Sequence, residues 1–180
     1  MMKKFLAIAA TCLLASTSAI AVGTLYFAPT LVLETNTNEN ANYTGLTPRL
    51  TLGYGEQINP YFSLAGEVFG TPIVMDVKNN FGNGGMSLKT SWNYGASVLP
   101  AVNVNSEVMG YLRFGGIESH FHSIRETTPG LQLGIGLQAE VSDVFDIRGE
   151  YIYTTYRSEN GIGSVKQDMY TLGFVRKFNL

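Results

Sequence analysis

Cysteine is nearly missing from this 180-residue chain, and the single one, Cys12, lies in the first apolar run. A disulfide framework is thereby excluded, so stability has to come from burial, strand pairing or a surrounding membrane. Charge is scarce too: Asp, Glu, Lys and Arg make up 14% of the residues, against about 25% in an ordinary soluble domain. Twelve basic residues stand against fourteen acidic ones, which leaves no basic excess to hold a nucleic acid, and no such partner is expected. No apolar run approaches the ~18 residues of a spanning helix, which removes helical membrane crossings. Asp76, Asp143 and Asp146 lack the Asp/Asn/Gly ladder of a calcium loop, and the glycine-rich run 82–85 is not a phosphate-binding loop. No cofactor and no metal site is expected.

What is present begins with an export signal. Lys3 and Lys4 give a positive start, residues 5–14 are mostly apolar, and Ala19-Ile20-Ala21 offers small residues for cleavage. Residues 1–21 therefore read as a signal peptide and 22–180 as one mature domain. Ala9-Ala10-Thr11 ahead of Cys12 lacks the leucine that opens a lipobox, so lipidation is not expected. Cleavage removes the cysteine together with Lys3 and Lys4, leaving ten basic residues against fourteen acidic ones.

Beyond the leader the dominant period is two, the signature of strands with unlike faces. Leu46, Pro48, Leu50, Leu52 and Tyr54 alternate with Thr47, Arg49, Thr51 and Gly53. Leu131, Leu133, Ile135, Leu137, Ala139 and Val141 alternate with Gln132, Gly134, Gly136, Gln138 and Glu140. Segments 24–34, 61–69, 88–101, 107–116, 145–156 and 167–180 fit the same template, which gives eight strands. Short connections at 55–60, 102–106 and 142–144 alternate with long polar ones at 35–43, 70–87, 117–130 and 157–166. All short turns then lie at one end and all long loops at the other, as in an outer-membrane barrel. A faint repeat runs through the pattern: 50–55 is similar to 131–136, and Phe62-Ser63-Leu64-Ala65-Gly66-Glu67 to Phe145-Asp146-Ile147-Arg148-Gly149-Glu150.

The rival is an exported lipocalin-like carrier, with its apolar face turned inward to a ligand cavity. Arg49, Glu67, Lys89, Arg113, Arg148 and Glu150 all alternate onto the small, polar face. The opposite face carries Leu25, Phe27, Leu31, Leu33, Trp92, Tyr94, Val98, Leu112, Phe114, Tyr151 and Tyr153. An eight-stranded interior is only just filled by side chains, so this bulk fits better facing lipid. Tyr26, Tyr54, Phe62, Trp92, Phe145, Tyr156, Tyr170 and Phe178 stand near strand ends, where interface girdles are expected.

The stretch Phe-Asp-Ile-Arg-Gly-Glu-Tyr-Ile-Tyr at 145–153 and the closing Tyr170-Thr171-Leu172-Gly173-Phe174-Val175-Arg176-Lys177-Phe178 add a further likeness. With the leader and the eight segments, they make the chain resemble the eight-stranded outer-membrane barrels of the OmpA-like and opacity-protein type. The resemblance implies an all-β, antiparallel up-and-down transmembrane barrel with both termini periplasmic and its long loops extracellular. It also implies outer-membrane lipids and lipopolysaccharide as surroundings, the barrel assembly machinery and periplasmic chaperones during biogenesis, and a host or envelope partner at the loops. In that family the last strand commonly ends in an aromatic residue recognised by the assembly machinery. Here Asn179 and Leu180 follow Phe178, and Arg176 stands where a second aromatic is expected.

Two groups of residues invite a functional reading. Arg49, Glu67, Arg113 and Glu150 are expected to form a lumen charge network, with Arg49 and Glu67 paired directly from adjacent strands, because uncompensated charges in a narrow interior are costly. Such a network either closes the barrel structurally or gates a small pore. Glu118-Ser119-His120-Phe121-His122-Ser123 is the one run with catalytic residue types, and a lipid A deacylase is known on an eight-stranded outer-membrane barrel. The His-x-Ser spacing of that enzyme is absent, so no catalytic residue is assigned and a non-enzymatic envelope role is expected. Asn42-Tyr43-Thr44 matches a glycosylation sequon, read as chance in a bacterial barrel.

Overall fold

The computed structural model describes residues 23–38, 42–73, 75–80, 89–121, 127–157 and 165–179. The expected signal segment 1–21, the glycine-rich run 82–85 and His122 lie outside the described residues. Among those described there are nine strands: β1 (Thr24–Thr37), β2 (Asn42–Asn59), β3 (Phe62–Thr71), β4 (Met75–Asn80), β5 (Thr90–Asn103), β6 (Val108–Phe121), β7 (Thr127–Ser142), β8 (Phe145–Tyr156) and β9 (Lys166–Asn179). All pairings are antiparallel, and β1 pairs with both β2 and β9, so eight staves close into a barrel; among the described residues β4 pairs with β2 alone. Closure matters because backbone N–H and C=O groups in hydrocarbon have no water to bond.

The eighth stave is made of two strands. β3 pairs with β2 up to Gly70 opposite Leu50, and β4 resumes on the same strand with Met75 opposite Leu46. Pro72 lies in the interval, and a proline has no N–H to give to the ladder. Connection 70–87, expected to be loop throughout, thus contains the end of β3 and all of β4. The other long connections are shorter than expected for a similar reason. β1 and β2 extend their pairing to Thr37 and Asn42, and β6 and β7 theirs to His120 and Thr127. Pairing needs only backbone groups, so it outlasts the apolar alternation that marks the membrane belt.

The two faces separate cleanly. Leu31, Leu50, Leu52, Val98, Leu112, Phe114, Leu131, Leu133, Leu172 and Phe174 point outward and are exposed, while Arg49, Thr51, Glu67, Arg113, Gln132 and Thr154 point inward and are buried. This inside-out distribution suits hydrocarbon, not water, around the outer wall. Two expected girdle residues face the other way: Tyr26 and Tyr156 are buried in the lumen. Both fall on the inward parity of their strands, β1 and β8, and proximity to a strand end had suggested otherwise. Lys89 also departs from expectation, since it precedes β5 and its Nζ lies 2.9 Å from the carboxylate of Asp76 on β4, at the long-loop end.

Replacing Leu133 with Arg should impair folding into bilayers by ~2–4 kcal/mol if the site lies near the midplane, whereas Leu133→Phe should be near neutral. Denaturant titration of heat-modifiable gel mobility in lipid vesicles measures the difference. Equal stability of the two variants would overturn the outward assignment of that face.

Candidate functional site

The interior is organised around Glu67 of β3, whose side chain has no exposed surface. A carboxylate so placed has lost its hydration and must be repaid by donors. Three reach it from three other staves. Tyr26 of β1 donates its hydroxyl at 2.8 Å, Arg113 of β6 donates Nη2 at 2.6 Å, and Arg148 of β8 donates Nη1. Arg113 forks a second time, through Nε and Nη2 to Glu150 of β8, and its Nη1 donates to Ser97 of β5 at 2.9 Å. Planar guanidinium geometry makes this multiple bridging feasible, which an ammonium group would not reproduce.

From Arg148 the chain of bonds runs to the short-turn end. Its Nε and Nη2 donate to Oε1 of Gln138 at 3.0 and 2.7 Å, and Gln138 Nε2 donates to Asp146 at 2.5 Å. Lys177 then bridges Asp146 at 2.9 Å and Glu140 at 3.0 Å. A vestibule of about 600 Å³ lies at this end, with Gln57, Ser63, Asn103, Gln138, Asp146 and Lys177 in its wall. Arg148 also lies over the rings of Tyr26 and Tyr111, 5.3 and 5.2 Å from their centroids. Each ring lies across a glycine on the neighbouring strand, Tyr26 opposite Gly53 and Tyr111 opposite Gly136. A Cβ at Gly53 or Gly136 would sit 2.2 or 2.3 Å from the ring carbon, so only glycine admits the clamp.

Toward the long loops the filling changes character. Arg49 of β2 has no carboxylate within ion-pairing distance among the described residues. Its Nη2 donates to Sδ of Met169 at 3.0 Å, and its guanidinium lies 4.9 Å from the Phe69 centroid. Above it, Tyr156 links Ser119 and Gln167 at 2.8 Å each, and Gln167 reaches Glu34 at 3.4 Å. Tyr43, Ile117, Phe121, Tyr156 and Val165 then close the space with apolar bulk, Phe121 meeting Tyr156 edge-on at 5.1 Å.

The four expected network residues are all buried in the lumen, but their pairing differs from expectation. Glu67, Arg113 and Glu150 share ion pairs, whereas the direct pairing of Arg49 with Glu67 is not made and Arg148 takes that place. Parity had put Arg148 on the right face. What it does not show is which residues of distant staves meet across the lumen. The described part of the run, residues 118–121, is split by the wall. Ser119 points inward to Tyr156, while His120 stacks outside on Trp92 at 5.4 Å and Glu118 receives the hydroxyl of Tyr94. Among the described residues, Ser119 therefore cannot join a relay with His120 and Glu118. Asn42, of the sequon, is the first residue of β2 and exposed.

A closed eight-stave barrel with a lipid-compatible wall and a bonded interior has known counterparts. The family described as outer membrane protein beta-barrel domain matches residues 5–178. The chain belongs to that family. Among solved structures, Neisserial surface protein A superposes with a TM-score of 0.60 at 19% identity, over 86% of this chain and 97% of that one. Ail, the attachment invasion locus protein of Yersinia pestis, solved with the heparin analogue sucrose octasulfate, gives 0.57 at 18% identity, over 87% and 99%. No curated protein matches the chain in sequence. The protein is thus an outer-membrane β-barrel of the kind these two structures represent.

Double-mutant cycles should separate the two arginines. Arg148→Ala and Glu67→Ala are expected to be strongly coupled, each single change costing ~3–5 kcal/mol through the charge it strands. Arg49→Ala with Glu67→Ala should be additive to within about 0.5 kcal/mol. Folding free energies in vesicles check both, and a larger coupling for the Arg49 cycle would contradict the network described.

Proposed function

We propose that this protein is a non-enzymatic, non-conducting barrel that stabilises the outer membrane and carries its contact surface on the four long loops. The observation that supports it most directly is the bonding around Glu67. At that level Tyr26, Arg113, Arg148 and Glu150 occupy the cross-section and hold one another, so a continuous water path would have to break several charged hydrogen bonds at once. The division of Ser119 from His120 and Glu118 by the barrel wall supports the non-enzymatic part.

In this reading residues 1–21 are the export leader, both termini are periplasmic and the long-loop end is extracellular. The barrel assembly machinery and periplasmic chaperones deliver it, and lipopolysaccharide surrounds its outer half. The common placement of the long connections at one end supports contact with a host or envelope partner there. It is in keeping with the complex of Ail with a heparin analogue, a property of that protein.

Two measurements test the proposal. Planar-bilayer recordings of the folded wild type should show no sustained conductance, and steady channels that change with Arg113→Ala would move the pore reading to first place. Protease or antibody applied to intact cells should reach the four connections that join β1 to β2, β3 to β5, β6 to β7 and β8 to β9, while 55–60 and 102–106 stay protected until the envelope is opened. Labelling of the short connections on intact cells would reverse the orientation.

A further inference from the structure

The lumen accounts for the buried charges but leaves Arg176 on the outer wall near the short-turn end. Arg176 of β9 points outward and is exposed, with Val175 and Lys177 turned toward the interior. Among the described residues it has no hydrogen bond and no ion pair. Its contacts are aromatic, with the guanidinium 5.9 Å from the Phe145 centroid and 5.3 Å from that of Phe178. Register adds two more rings on the same face. Phe27 of β1 stands directly opposite Arg176 on one side, as Phe145 does on the other, and Phe174 and Phe178 lie two residues away along β9. Four phenylalanines therefore surround one guanidinium on an outward surface.

The depth of this group is fixed by the topology. Phe145 is the first residue of β8 and follows the two-residue turn 143–144, so its register partner Arg176 lies at the level of that turn. With a rise of about 3.4 Å per residue, the guanidinium sits at the border between hydrocarbon and headgroups. At that border a cation with unclaimed donors is matched by phosphate oxygens, which a guanidinium binds with two parallel bonds. Ring faces stacked on the cation orient its N–H edge and keep it away from the chain's own carboxylates. The acyl chains of the same molecule would run along the exposed Phe174 and Leu172 of β9 and Ile147 of β8.

We propose that Arg176, framed by Phe27, Phe145, Phe174 and Phe178, is a binding site for the phosphate of a phospholipid headgroup in the leaflet at the short-turn end. The site is on the outer wall and independent of the lumen network and of the loops. It also gives a physical role to the basic residue that interrupts the otherwise apolar and aromatic outward row from Tyr170 to Phe178 of the last strand. In the orientation proposed above, the lipid belongs to the periplasmic leaflet.

The test is native mass spectrometry of the folded barrel released from detergent containing phosphatidylglycerol, diacylglycerol of the same acyl chains, or inorganic phosphate. Heat-modifiable mobility of every variant first establishes that the barrel is folded. Wild type should retain phosphatidylglycerol in preference to diacylglycerol, and Arg176→Gln should reduce that retention by about tenfold, the worth of one charge-assisted hydrogen bond pair. Lys166→Gln, at the far end of the same strand, should leave it unchanged, and Phe178→Leu should lower it. Equal retention of the two lipids by wild type, or equal phosphatidylglycerol retention by wild type and Arg176→Gln, would overturn the proposal. Retention of inorganic phosphate matching that of the lipid would overturn it in favour of a free-anion site.

Discussion

Everything inside this barrel is arranged around the cost of removing the Glu67 carboxylate from water. A bare carboxylate at that position would be prohibitively unfavourable, and a single partner would leave lone pairs of its two oxygens unbonded. The structure answers with donors from β1, β6 and β8, so one residue on β3 fixes the separation of walls that have no direct strand pairing with it. Those donors need supports of their own. Arg113 uses Glu150 and Ser97, and Arg148 uses Gln138 and the two tyrosine rings. Gly53 and Gly136 follow from this requirement, because the rings can lie flat against the wall only where the facing residue has no Cβ.

The outer wall follows a separate constraint. In hydrocarbon, lateral contacts between apolar side chains and lipid tails contribute little specificity, so the fold cannot be defined by a conventional apolar core. Its uniqueness comes from the closed hydrogen-bond ladder and from the lumen contacts that set its register. A one-residue slip of any stave would send its lumen charges into lipid and its leucines into the charged interior. Alternation on each strand and the bonding around Glu67 therefore enforce the same register independently.

This division explains what could be read from the sequence. Period two is a property of a single strand, so the outward row from Leu25 to Tyr153 and the inward Arg49, Glu67, Arg113, Arg148 and Glu150 were legible, whereas Tyr26, Tyr156 and Lys89, assigned at strand ends, were not. Strand ends were not, because pairing above the membrane belt, as in β4 and at the loop-side ends of β1, β2 and β6, needs no apolar alternation. Contacts across the lumen depend on tilt and stagger of all eight staves, which no local pattern encodes. Arg148 was thus placed on the right face without a partner, and Arg49 was given a partner that Arg148 holds. The faint internal repeat had more content than its looseness suggests. Glu67 and Glu150 occupy equivalent positions in it, and in the barrel both accept from the single guanidinium of Arg113.

The position of Arg49 completes the electrostatic argument. With Glu67 and Glu150 already claimed by Arg113 and Arg148, the remaining lumen arginine is held by softer groups, the sulfur of Met169 and the face of Phe69. Phe69 also lies under Arg113, 5.7 Å from its guanidinium, so one ring separates two like charges by offering its negative face to both. Glu34, fully buried beyond Arg49 toward the long loops, adds a third carboxyl group. Among the described residues of the central lumen, Arg113 and Arg148 are thus matched by ion pairs to Glu67 and Glu150, whereas Arg49 and Glu34 lie in the loop-side half without forming one. In a low-dielectric surround an unbalanced interior would carry a large self-energy. Pairing is consequently concentrated where Glu67 and Glu150 meet Arg113 and Arg148, and Arg49, with no carboxylate in direct contact, relies on the sulfur and the ring for its compensation.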